Sequence, residues 1–132
     1  KMFFIVNSFE YLIRGGRIGK AAGLVGTILK IKPILFIKGQ VAVLDKARTE
    51  AKALGRLIKE LDNAISTAGG HDKVILKLIY VYNPDVLIKI EEIISRKWPD
   101  MKYDIASVGP VVGSHVGPGA YGMAFYPLSN LS

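Results

Sequence analysis

An α/β fold with a two-layer, mixed β-sheet is what this chain predicts, on two observations. Strand-like and helix-like stretches alternate along its 132 residues, and two apolar runs, 33–37 and 40–45, flank Lys38-Gly39 as an antiparallel hairpin does. An antiparallel pair excludes a purely parallel, doubly wound sheet. The expectation is a sheet of about six strands with helices mainly on one face.

Met2–Val6 is a short apolar run without helical period, as a buried strand requires. Asn7 and Ser8 are N-cap candidates for a short helix through Leu12 and Ile13, ended by Gly15-Gly16. From Ile18 to Lys32, one helical face collects Ile18, Ala21, Ala22, Val25, Ile28 and Leu29, and Pro33 should stop that helix. Ala22, Gly23 and Gly26 keep it slim enough to approach a sheet or a ligand channel closely. Thr49 is placed to cap the longest helix, with Leu54, Leu57, Ile58, Leu61 and Ile65 inward, before Ala68-Gly69-Gly70 breaks it. Val74–Tyr82, rich in β-branched and aromatic residues, reads as a strand. Asn83-Pro84 pairs an N-cap with proline at the first helical position, opening a helix through Ile94 with Leu87, Ile90 and Ile94 inward. Trp98-Pro99 closes it, with Trp98 set to plug the helix end against the core. Further strands are expected over Tyr103–Val108 and Ala120–Tyr126, with a short helix from Pro110 between them.

The length suits one domain with a moderate core. Half the residues are apolar, as in a folded chain. Apolar runs are short or broken by lysine, so none qualifies as a membrane span. The absence of cysteine removes disulfide and thiol chemistry and fits the expected cytoplasmic location. The apolar opening run is too short for a signal peptide, and a chain that opens inside a strand without an initiator Met is expected to be part of a longer one.

A net charge of +7 and a pI near 9.7 invite a nucleic-acid partner, but the distribution argues against it. The densest basic stretches, at Arg14, Arg17 and Lys20 and at Lys30, Lys32 and Lys38, lack the interleaved aromatics that base stacking needs. An acidic partner, or transient contact with an anionic membrane, suits such a surface better.

Chemistry concentrates in the stretch from Gly109 to Gly122, which holds one of two histidines, five of fourteen glycines and two of six prolines. Glycine admits positive φ and close approach, while proline locks φ, so the backbone around His115 is bent to a set shape. The residues alone leave two readings open: a site that presents the imidazole, or a tight turn whose histidine is merely satisfied. His71 and His115 lie far apart without Cys or a His-Glu pattern, so no metal is expected. Neither a phosphate-binding Gly-Lys-Ser/Thr loop nor the dinucleotide fingerprint is present, and no cofactor is expected. A serine triad would need Ser114 or Ser107 to face His115, and no nucleophile elbow occurs. A hydrolase or transferase with His115 as general base remains an alternative, though it lacks a matched acid or nucleophile. A basic nucleic-acid-binding module is the other. Arg17, after Gly15-Gly16, offers a donor fork suited to carboxylate or phosphate, or to an ion pair within the chain.

Three blocks carry a resemblance: Phe9-Glu-Tyr-Leu-Ile-Arg-Gly-Gly-Arg-Ile-Gly-Lys20, Leu29-Lys-Ile-Lys-Pro-Ile-Leu35, and Gly109-Pro-Val-Val-Gly-Ser-His-Val-Gly-Pro-Gly-Ala120. In this order they resemble the C-terminal domain of the DegV family across essentially the whole chain. The resemblance implies a fatty-acid-binding protein, not itself an enzyme, that presents its ligand to a separate ATP-dependent fatty acid kinase. It also implies that residues 1–132 form a C-terminal domain with a six-stranded mixed sheet, the N-terminal domain that supplies hydroxyl ligands lying outside this chain. His115 matches the family histidine that helps hold the carboxylate, and Arg17 matches the arginine near the headgroup and partner-facing side. Ser114, Gly117 and Gly119 complete the candidate ligand-binding set. Ala21, Ala22, Val25, Ile28, Leu35 and Ile37 are candidates for lining the acyl tunnel. A buried carboxylate needs waiting donors, and an imidazole titrates near neutrality, where carboxylate becomes acyl phosphate.

Overall fold

A computed structural model describes residues 1–6, 31–109, 116–117 and 119–131. In chain order the strands are β1 (Met2–Ile5), β2 (Lys32–Lys38), β3 (Gln40–Ala47), β4 (Val74–Tyr80), β5 (Asp104–Ser107) and β6 (Tyr121–Pro127). The helices are α1 (Glu50–Ala68) and α2 (Ile88–Lys97). The strands form one mixed sheet in the order β3-β2-β1-β6-β4-β5, antiparallel except for the parallel pair β4–β5. The predicted α/β class and mixed sheet are what the chain adopts.

Alternation of side chains sorts the strands into two apolar faces. One face carries Phe3, Ile5, Ile34, Leu76, Leu78, Met123 and Phe125 against Leu57, Leu61 and Ile65 of α1 and Ile90 and Ile94 of α2. The Phe3 ring lies 5.1 Å from Phe36 and 5.5 Å from Phe125, so aromatic contacts tie three adjacent strands beneath α1. The other face carries Phe4, Val6, Leu35, Ile79, Val81 and Ala120, also buried.

The helix ends follow their caps. Thr49 accepts from the Lys52 amide at 3.2 Å, and Gly69, at φ 95°, returns its own amide to Ile65. The five expected inward residues of α1 are all buried. Asn83 caps as expected, accepting from the Asp85 amide, but the first turn (Pro84–Leu87) is a 3₁₀ helix and α-geometry begins only at Ile88. Leu87, Ile90 and Ile94 are buried, and half-buried Trp98 packs on the core just beyond α2.

Three boundaries differ from expectation. Lys32, expected at the end of a helix, belongs to β2, the strand that Pro33 is expected to open; the Pro33 carbonyl accepts from the Val6 amide at 3.2 Å. The hairpin connection is Gly39 alone, at φ 72°, because Lys38 already pairs with Gln40. Strand β4 ends at Tyr80, not Tyr82. The Asn83 amide reaches the Val81 carbonyl at 2.9 Å, a γ-turn that forces Tyr82 to φ 68° with its side chain outward. The expected helices over 7–13 and from Pro110, and all but the last two residues of the one over 18–32, fall outside the described residues.

Two stability predictions follow from the backbone. At Gly122 a Cβ would overlap the Phe3 carbonyl and lie 2.9 Å from the Phe4 Cα, so Gly122→Ala should separate β1 from β6 and lower the unfolding free energy by about 3 kcal/mol or more, read by chemical denaturation. Tyr82→Asn, which tolerates positive φ better, should raise stability by roughly 0.5–1 kcal/mol in the same assay, because a ring 75% exposed gives up little packing.

Candidate ligand-binding site

Two connections leave and rejoin the sheet at one end. The first departs after Val6 and returns at Lys32, next to one another through the Val6–Pro33 bond. The second departs after Val108, whose amide bonds the Tyr80 carbonyl at 3.1 Å, and returns at Ala120, whose carbonyl accepts from Val81 at 3.1 Å. Arg17 lies on the first connection, Ser114 and His115 on the second. Among the described residues, the departure and return points of both connections therefore share one sheet end.

Of the candidate residues, Arg17, Ala21, Ala22, Val25, Ile28, Ser114 and His115 are outside the described residues. Gly117 and Gly119 are within them, at φ 89° and 81°. The Ala120 amide reaches back to the Gly117 carbonyl at 3.4 Å, closing a four-residue turn with Gly119 in its third position. Positive φ there is the conformation for which the sequence supplies glycine. Val116 is buried beside Phe4, Val6, Ile79 and Val81, so the histidine segment rejoins the sheet on its second apolar face.

The tunnel candidates Leu35 and Ile37 both lie on that second face. Leu35 is fully buried in the cluster with Phe4 and Val6. Ile37 is half-buried and, with Met2, Ala124 and Lys38, lines an open hollow of about 500 Å³ at the far end of the sheet. Along β1, Met2 to Val6 covers roughly 13 Å at strand rise, so an apolar strip links the hollow to the end that carries Gly117 and Gly119.

Beside this end, on the helix face, lies a polar group that sequence reasoning missed. The Tyr121 hydroxyl donates to Glu50 Oε1 at 3.1 Å, and Glu50 Oε2 lies 3.5 Å from Lys89 Nζ. Burial of the phenol, then the Glu50 charge and its hydrogen bond, raise the Tyr121 pKa far above its usual value. Tyr121 and Glu50 are 71 residues apart, and no local pattern announces such a pair. Among the described residues no group of His, Asp and Glu is arranged to hold a metal, and no helix is long and apolar enough to cross a membrane.

A family model described as "Uncharacterised protein, DegV family" matches residues 1–128. A DegV domain-containing protein of Clostridium acetobutylicum is 37% identical over 99% of this chain, and protein DegV of Bacillus subtilis 32% identical over 95%. The chain belongs to the DegV family. Among solved structures, a fatty-acid-binding DegV family protein from Thermus thermophilus superposes with a TM-score of 0.80 at 33% identity over 97% of the chain. A fatty-acid-binding DegV family protein from Streptococcus agalactiae gives 0.82 at 30% over 96%. This chain spans less than half of each: 45% and 44% of the two relatives, and 45% and 44% of the two solved chains.

A raised phenol pKa makes the neutral hydroxyl part of the folded state. Stability from Tyr121 is therefore full below its unfolded pKa near 10 and falls as pH rises beyond that toward the higher folded value. Tyr103, raised by burial and by Glu91, adds in the same direction. Denaturation midpoints followed upward from pH 9 should fall less steeply in Tyr121→Phe than in the unsubstituted protein, about 10 being where the curves begin to part.

Proposed function

We propose that this chain is the C-terminal domain of a two-domain fatty-acid-binding protein, and that it forms one wall of the acyl site. The observation carrying the proposal is the second apolar face, which starts at the turn of the Gly/Pro segment and runs to the Ile37 hollow. It is supported by relatives at 30–33% identity whose solved structures are those of fatty-acid-binding proteins. An acyl tail needs such a dry apolar strip, and its carboxylate needs donors where the strip meets water.

In this scheme His115 hydrogen-bonds the carboxylate, with Ser114 beside it, and Gly117 and Gly119 let the backbone turn back to the sheet. Arg17 faces the headgroup. Ala21, Ala22, Val25 and Ile28, with Leu35 and Ile37, line the tail. The N-terminal domain completes the headgroup site. The bound acid is presented in the cytoplasm to a separate ATP-dependent kinase that supplies the phosphoryl group, and transient contact with an anionic membrane delivers it. The domain itself binds and orients; it performs no bond-breaking step.

Mass spectrometry of lipid extracted from the purified full-length protein should find a bound fatty acid. Calorimetry or a fluorescent-acid displacement assay should show His115→Ala weakening binding by about tenfold to a hundredfold, the worth of a hydrogen bond to a charged group. A full-length protein that carries no fatty acid and takes up none from solution would defeat the proposal.

A further inference from the structure

Cross-strand register lines up one row of residues on the second face of the sheet. Val41 pairs with Ile37, Ile37 with Met2, and Met2 with Ala124, so four apolar side chains stand side by side across β3, β2, β1 and β6. The row is about 14 Å wide, three strand spacings. It ends at β4, where Ala124 pairs with Lys77, an exposed lysine in an otherwise apolar strand, and Lys77 in turn pairs with Asp104 of β5.

The neighbouring row, toward the other sheet end, is different. Val43 pairs with Leu35, Leu35 with Phe4, Phe4 with Gly122 and Gly122 with Ile79; Leu35, Phe4 and Ile79 are buried. Met2, Ile37, Val41 and Ala124 are only half-buried. A sheet face that meets water alternates polar with apolar residues, so an apolar row four strands wide has the pattern of a face that another layer covers. A single acyl tail is about as wide as one strand spacing, so it can fill the Ile37 hollow but not cover the row. What covers it has to be broad. Two observations point to the same occupant. The chain spans 45% and 44% of the fatty-acid-binding DegV chains it superposes on, which leaves more than half of such a protein to be packed. And β1 starts at this end of the sheet: Lys1 and Phe125 exchange both backbone bonds at 2.9 Å, which sets any chain preceding Lys1 beside Met2.

We propose that this row is the contact face for the N-terminal half of the protein, whose matching surface is apolar over β3, β2, β1 and β6 and polar where it reaches Lys77. The inference rests on the reading of this chain as the C-terminal domain of a two-domain protein; it does not need the ligand to be a fatty acid. The covering half closes the Ile37 hollow from outside and makes it a blind end.

The test uses the full-length protein, stripped of lipid, with its methyl resonances followed by NMR as a soluble paramagnetic agent is added. The methyls of Met2, Ile37, Val41 and Ala124 should be shielded, while those of Ile88, 51% exposed on α2, should broaden. Val41→Lys puts a charge on the edge strand, at one end of the row. It should expose the other three residues and speed protease cleavage between the two halves about tenfold or more, because an unpaired lysine resists burial. If Val41→Lys does not fold, the shielding in the unsubstituted protein decides alone. Broadening of the row as strong as that of Ile88 would overturn the proposal. So would shielding that arises only with added palmitate, only with a dimer mass in light scattering, or that survives in Val41→Lys with cleavage unchanged. A full-length protein that takes up no palmitate would defeat the fatty-acid proposal, while shielding in the lipid-free protein would still decide on the contact face.

Discussion

Everything in this domain depends on a central strand that must be apolar on both sides. Strand β1 lies between β2 and β6, with Phe3 and Ile5 toward the helices and Phe4 and Val6 toward the other face. A strand at the edge, or one with a wetted face, would carry polar residues at alternate positions. Here alternation is absent because neither face meets water. β6 can lie against β1 only because Gly122 has no side chain where the Phe3 carbonyl passes.

The two faces do different work. The helix face is an ordinary core, filled by two amphipathic helices with capped starts and an aromatic stack beneath α1. The second face is equally apolar near the histidine segment but opens into a hollow at the far end. A sheet whose main core lies on its helix face and whose second apolar face opens at Met2, Ile37 and Ala124 can take an apolar group at that opening without disturbing the core that keeps it folded.

Charge on the described surface is largely local. Arg56 bonds both Asp45 and Glu60, Lys97 lies 3.9 Å from Asp62, and Lys89 faces Glu50. These pairs are partly or mostly exposed and contribute little each to stability. The Glu50 pair matters for where it stands, because it shares its carboxylate with a buried hydroxyl.

Much of the architecture was legible in the residues. Period and caps placed α1 to within a residue, since Thr49, the Leu54-to-Ile65 stripe and Gly69-Gly70 act locally. The hairpin and the six strands followed from run length and β-branching for the same reason. What misled were short-range signals that tertiary pairing overrode: Lys32 reads as the end of a helix but lies in a strand, and Tyr82 reads as strand but takes a turn conformation that its residue type disfavours. The DegV resemblance rested on blocks whose glycines serve backbone geometry, as Gly117 and Gly119 do. By itself, then, the sequence determined which segments become helices and strands and which residues are available for ligand chemistry, because caps, periodicity and positive-φ positions act within a few residues. Only the tertiary structure decided the strand order, the return of two long connections to one sheet end, and the meeting of Tyr121 with Glu50. Those depend on contacts between residues up to 124 apart, such as the Lys1 and Phe125 pairing beside β1 and β6, and no local pattern encodes them.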